Sequence, residues 1–137
     1  MKIINLIIKS SNAIEKLGSF LMKSLLRLNG AKIGNNTFIS FSVRIVAAKS
    51  LNIGNDCIIK SGVKIKARQI NIGDGCIISE GCYITGDSDF SIGKTTFIGK
   101  KVRINISRNV CIGEDVGLGE NSVIWTHGYF PPADEGY

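Results

Sequence analysis

Residues 72–83, Ile72-Gly73-Asp74-Gly75-Cys76-Ile77 followed by Ile78-Ser79-Glu80-Gly81-Cys82-Tyr83, are two six-residue units of one design. Each opens on an apolar residue and carries a small one at its fifth place. Outward from this stretch, the opening Ile-Gly returns at Ile33-Gly34, Ile53-Gly54, Ile92-Gly93 and Ile112-Gly113, so the five copies stand 20, 19, 20 and 20 residues apart. A second apolar residue follows six places later in each copy (Ile39, Ile59, Ile78, Ile98, Leu118), and a third six after that (Ile45, Ile65, Ile84, Ile104, Ile124). A unit of about twenty residues repeated in this way predicts a solenoid, one structural turn stacked on itself.

Each hexapeptide is long enough for a short strand and a corner, and three of them make a triangular coil. Inward Ile residues then stack from coil to coil, while Gly, Asn and Asp take the corners that demand positive φ. Neighbouring coils pair as parallel strands about 4.8 Å apart, so five coils form a prism on the order of 24 Å tall. The third side is looser. Segments 45–52, 65–71, 84–91 and 104–111 run long and place Lys49, Gln69, Ser88 and Arg108 at the fifth position. That side is expected to bulge or to turn a wider corner, and it is the surface free for function or for subunit contact.

Composition bounds the function classes. With 44% hydrophobic residues and two prolines in 137, the chain is a folded domain and not a disordered tail. Seventeen Lys and Arg against eleven Asp and Glu leave a net charge of +6, which favours an anionic partner: a phospholipid surface, nucleic acid or a phosphate-bearing small molecule. Net charge alone speaks for nucleic acid, and no aromatic-basic motif supports it, so that partner is set aside. Cys57, Cys76, Cys82 and Cys111 show neither a CxxC pair nor a metal-ligand spacing. The first three fall in the small fifth-place column, where a free Cys serves as a small hydrophobe, so neither a metal nor a disulfide is expected. Residues 3–8 are apolar, but Lys9 ends the run and no clear cleavage site follows. No segment approaches the roughly 20 apolar residues that span a bilayer. A cytoplasmic location is expected, with peripheral contact at the inner face of the membrane as its variant.

Three regions follow: a helix with its stop over residues 1–30, the repeat over 31–128 and an irregular tail over 129–137. Lys2, Lys9, Lys16 and Lys23 recur every seven residues, as do Ile7, Ile14, Leu21 and Leu28, so residues 1–28 read as an amphipathic helix with a basic face. Asn29-Gly30 supplies the stop. Two roles are open for this helix. It can cap the first coil, as solenoids require, or lie on an anionic membrane face, and both hold if it is only half covered.

The repeats resemble the hexapeptide-repeat acyltransferase superfamily, whose fold is the left-handed parallel β-helix. The resemblance rests on the apolar-Gly-x-x-small-x pattern, spans about ninety residues and alone implies the hand, since parallel crossovers are otherwise right-handed. It further implies a homotrimer and an acyl thioester donor. Ile112-Gly113-Glu114-Asp115-Val116-Gly117-Leu118-Gly119-Glu120-Asn121-Ser122-Val123-Ile124-Trp125-Thr126-His127-Gly128 is most similar to the sugar O-acetyltransferases, which include the maltose, nodulation-factor and bacterial surface-polysaccharide enzymes. What this implies is transfer of an acetyl group from acetyl-CoA to a hydroxyl of a sugar or lipid-linked saccharide. The family's catalytic His stands just after the last apolar residue of a coil, often in a Thr-His context, which points to His127. Asn105, one coil earlier on the looser side, is the implied partner in hydroxyl binding. Relatives continue past this place with a loop and further coils, and Tyr129 to Tyr137 reads as the start of that loop. The alternative function is a non-catalytic trimeric scaffold, or an inactive truncated remnant of such an enzyme.

The chemistry suits the residue. An alcohol attacks a thioester only as its proton is removed, and imidazole, with an ordinary pKa of about 6.5, does this at neutral pH. A backbone N–H is expected to stabilise the tetrahedral oxyanion, and no acyl-enzyme is needed, so the cysteines are not required as nucleophiles. Trp125 is expected to fill the corner of its coil, the other reading being a wall for sugar or donor. Lys100, Lys101 and Arg103, with Lys64, Lys66 and Arg68, are expected to be solvated faces that could also draw phosphates. One His per chain cannot supply the three ligands of a γ-class carbonic anhydrase.

Overall fold

Every strand pairing between Lys32 and Ile124 is parallel, each coil on the next, in the computed structural model. Residues 2–128 are described, with their side chains from Lys9 onward. The expected tail, 129–137, and the side chains of residues 1–8 lie outside the described residues. The coils form an all-β parallel solenoid of about five turns, wound left-handed as the resemblance implied.

Two sheets run the length of the prism. One stacks Phe38–Ile39, Ile58–Ile59, Ile77–Ile78, Phe97–Ile98 and Gly117–Leu118. The other joins the two remaining sides, which pass round their corner as the single strands Arg44–Ile53 and Lys64–Ile72. In later coils the same path breaks into Tyr83–Gly86 with Phe90–Ile92, and Arg103–Ile106 with Val110–Ile112. The unequal repeat explains the break. Ala47 pairs with Ala67 and Ser50 with Gln69, so Ala48 and Lys49 stand opposite Arg68 alone as a bulge. Further on, bends at residues 87–88 and 107–108 take up the added length. The looser third side is where every extra residue goes.

The interior follows the pattern. Ile39, Ile59, Ile78 and Ile98 are completely buried one above another, each contributing about 1.5–3 kcal/mol from burial. Gly73 shows why the second place is glycine: a Cβ there would stand 2.7 Å from the backbone nitrogen of Lys94 in the next coil. Most corners use the expected residues, with Asn36, Asp56, Asp115 and Asn121 at φ of 53–60°. Thr95 and Lys101 adopt the same left-handed conformation, at φ 53° and 55°, and the Thr95 hydroxyl is held by the Asp115 carboxylate one coil on.

The fifth-place column of each first hexapeptide does more than fill space. Thr37 and Thr96 donate from Oγ1 to the carbonyls of Gly54 and Gly113 at 2.7 and 2.8 Å. Cys57 and Cys76 donate from Sγ to the carbonyls of Gly73 and Gly93 at 3.1 and 3.0 Å. Both residue types are small and carry one donor for the coil above, whereas Val116, in the last described coil, carries none.

The helix α1, Lys2–Leu28, ends at Asn29 and Gly30, the latter at φ 86°. It covers the open edge of the first coil. Ser19 Oγ accepts the Ile39 N–H at 3.0 Å, Lys23 Nζ donates to the Thr37 carbonyl at 2.8 Å and Arg27 to the Ile33 carbonyl at 2.9 Å. Met22 and Leu26 pack on the core beside them. The capping role is therefore filled, but by a strip that is mostly polar. The apolar face of the helix points elsewhere.

Candidate active site

Arg103–Ile106 and Val123–Ile124 pair in register, Ile104 opposite Ile124, so the residues that follow on each strand emerge side by side at the loose third corner. Asn105 sits on the first strand and Thr126 and His127 just after the second. His127 Nδ1 lies 3.0 Å from Asn105 Oδ1 and 3.2 Å from Ser107 Oγ. The two residues singled out from the sequence thus meet across neighbouring coils.

The protonation of the ring follows from the network. The Ser107 backbone N–H, which can only donate, points at Asn105 Oδ1 from 3.0 Å. That contact fixes the amide with its oxygen inward. An oxygen facing Nδ1 requires that Nδ1 carry the proton, so in the neutral ring Nε2 keeps the free lone pair. Thr126 ties down the second coil. Its Oγ1 donates to the Asn105 carbonyl at 3.0 Å and accepts the Arg108 backbone N–H at 3.0 Å. The arrangement orients one imidazole nitrogen by an acceptor and leaves the other for an incoming hydroxyl.

His127 is exposed, at the rim of a cleft of about 330 Å³ lined by Arg108, Trp125, Thr126 and Gly128. Trp125 does not fill the coil's corner as expected. It is 62% exposed and meets the His127 ring edge-on, centroids 5.5 Å apart. Its coil is the last one described, and among the described residues no further coil stands over the indole. A smaller groove next to the cleft places Tyr83, Thr85 and Arg103 beside Asn105 and Trp125. Two aromatic side chains and two guanidiniums, those of Arg103 and Arg108, therefore flank the Asn–His pair.

The basic residues divide. Arg68 forks onto Asp89 with contacts of 2.7 and 2.6 Å, and Lys66 pairs with Asp87 at 3.3 Å. The hydrogen bond and charge of Arg68 hold the Asp89 carboxyl below its usual range. These are struts between coils. Lys64, Arg103 and Arg108 have no carboxylate within ion-pair distance among the described residues. The buried cysteines lie apart from the cleft. Desolvation pushes the Cys57, Cys76 and Cys82 thiols up, which disfavours the thiolate and with it nucleophilic use.

Ser107, Thr126 and Arg108 were not singled out for the site from sequence. Their signal was slight: each is a neighbour, within three residues, of Asn105 or His127. Compared with known protein families, with curated proteins and with solved structures, the chain matches none.

Proposed function

We propose that the protein is an O-acetyltransferase that moves an acetyl group from acetyl-CoA to a hydroxyl of a saccharide, with His127 as general base. The observation that carries this reading is the Asn105–His127 contact at 3.0 Å, which in the neutral ring puts the proton on Nδ1 and leaves Nε2 of an exposed side chain as the acceptor. The acceptor hydroxyl gives its proton to Nε2 as its oxygen attacks the thioester carbonyl. The imidazolium that forms is stabilised at Nδ1–H by Asn105 Oδ1 and Ser107 Oγ. The tetrahedral adduct then expels the thiolate of coenzyme A, which takes the proton back from Nε2, and the products are the acetyl ester and the free thiol. Tyr83 and Trp125 supply flat apolar faces of the kind that stack on sugar rings, and Arg103 and Arg108 add positive charge for a phosphorylated donor or acceptor. A homotrimer, in which a neighbouring copy walls the cleft, completes the proposal, with bacterial surface polysaccharide as the acceptor class.

The test is release of free thiol from acetyl-CoA by the full chain with a panel of sugars and phosphorylated saccharides. His127→Ala is expected to lower kcat by about 10²–10⁴-fold. An unchanged rate in that variant removes the base role. A folded wild-type protein with no turnover on any acceptor favours the non-catalytic trimeric scaffold.

A further inference from the structure

The helix α1 caps the solenoid with the wrong face for an ordinary amphipathic helix. Ser19, Met22, Lys23 and Leu26 meet the first coil, whereas Ile14, Leu17, Leu21, Leu25 and Leu28 remain between 46 and 85% exposed. At about 100° per residue these five, three or four apart, form one stripe turned away from the protein. Phe20, on the edge of the stripe, is also exposed. Phe41 of the first coil, packed against Gly18, extends the surface around a groove of about 310 Å³ shared with Ile14, Leu17 and Leu21. An apolar face this continuous marks a place of contact.

We propose that this face docks on an anionic lipid bilayer, the helix lying in the plane of the headgroups with the solenoid standing on it. Charge selects that occupant. Lys9 and Lys16 are exposed, and the helical repeat sets both on the flank between Phe20 and the capping face. Glu15 is the only acidic residue of the helix, and it stands on the opposite flank, between the apolar groove and a cleft with Phe38, Ser40 and Lys60. A second copy packed antiparallel, stripe to stripe, would set like flanks together, lysine against lysine and Glu15 against Glu15. Anionic headgroups meet the lysines directly, and the leucine stripe enters the acyl boundary. No described helix is long and apolar enough to cross a membrane, so the contact is peripheral. The inference stands apart from the acetyl-transfer reading, since the helix and His127 lie at opposite ends of the solenoid.

The test is co-sedimentation of the full chain with vesicles of phosphatidylcholine containing phosphatidylglycerol, and with vesicles of phosphatidylcholine alone. Binding is expected to the first, to weaken with salt and to be far weaker on the second. Leu21→Gln and Leu25→Gln are each expected to reduce partitioning by about tenfold, and Lys9→Gln and Lys16→Gln by roughly fivefold each. These side chains do not hold the first coil, so thermal unfolding of the variants should match that of the wild type and show that a loss of binding is not a loss of fold. Equal binding to both vesicles overturns the anionic assignment. Failure to bind either overturns the proposal, and a dimer dispersed by Leu21→Gln would then assign the stripe to a second copy.

Discussion

The two ends of the solenoid are built on opposite plans. At the first coil the exposed backbone edge is answered group for group by a helix: Ser19, Lys23 and Arg27 meet Ile39, Thr37 and Ile33. At the last described coil the edge gathers polar side chains instead. Asn105, Thr126 and His127 are drawn together there, and Trp125 stands free. The contrast is between an edge covered by a helix and a corner where two neighbouring coils bring polar side chains together. Inward residues of the stacked coils are committed to the core, and the side chains that meet in the cluster all come from the loose third corner.

That contrast can be broken or sharpened experimentally. Gly73→Ala, in the interior, is expected to cost about 1–3 kcal/mol through overpacking, because its Cβ would press on the Lys94 backbone. Gly113→Ala meets nothing closer than Val116 at 3.9 Å and should shift the urea midpoint little. Equal losses would mean that the last coil is as confined as the middle ones. Asn105→Leu removes the acceptor that holds Nδ1–H, and kcat for acetyl transfer should fall by about 10–100-fold. Asn105→Asp keeps an acceptor and should retain most of the rate, a difference that packing alone does not produce.

At the capped end, Ser19→Ala leaves the Ile39 N–H without its partner and is expected to cost about 1–2 kcal/mol in denaturant unfolding. Acetyl transfer should be unaffected. The smallest effect belongs to the strut between Arg68, which is exposed, and Asp89, which is half-buried. The depressed carboxyl of Asp89 stabilises the fold above the ordinary carboxylate range and loses that contribution as pH falls through its lowered value. Asp89→Asn should therefore be slightly less stable than wild type at neutral pH, with the gap closing in acid. A gap that persists in acid would assign the role of Asp89 to packing.

Much of the fold was legible because the physical demand repeats. Ile39, Ile59, Ile78 and Ile98 occupy equivalent buried places, so one reading of a hexapeptide served all five coils. Thr95 and Lys101 escaped it: their left-handed corners are imposed by the neighbouring coils, against the local preference of either residue. In the candidate site, His127 and Asn105 were marked by register and resemblance, yet their contact was not, since the bends at residues 87–88 and 107–108 obey no repeat. Trp125 was misread because burial there depends on whether another coil lies above it.

Sequence alone determined the parallel coil, its five-fold repetition, the glycine and small-residue columns and the presence of an amphipathic helix. All of these are periodic, and periodicity survives in one dimension. Tertiary structure decided which face of that helix meets the first coil, and that Nδ1 of His127 is held by Asn105. The helix turned on hydrogen bonding. Unpaired backbone groups at the first coil's edge cost more than exposed leucines, so polar side chains took the contact and the apolar stripe was left outward. The site turned on the irregular corner, where one coil's excess length lets a side chain reach the coil above.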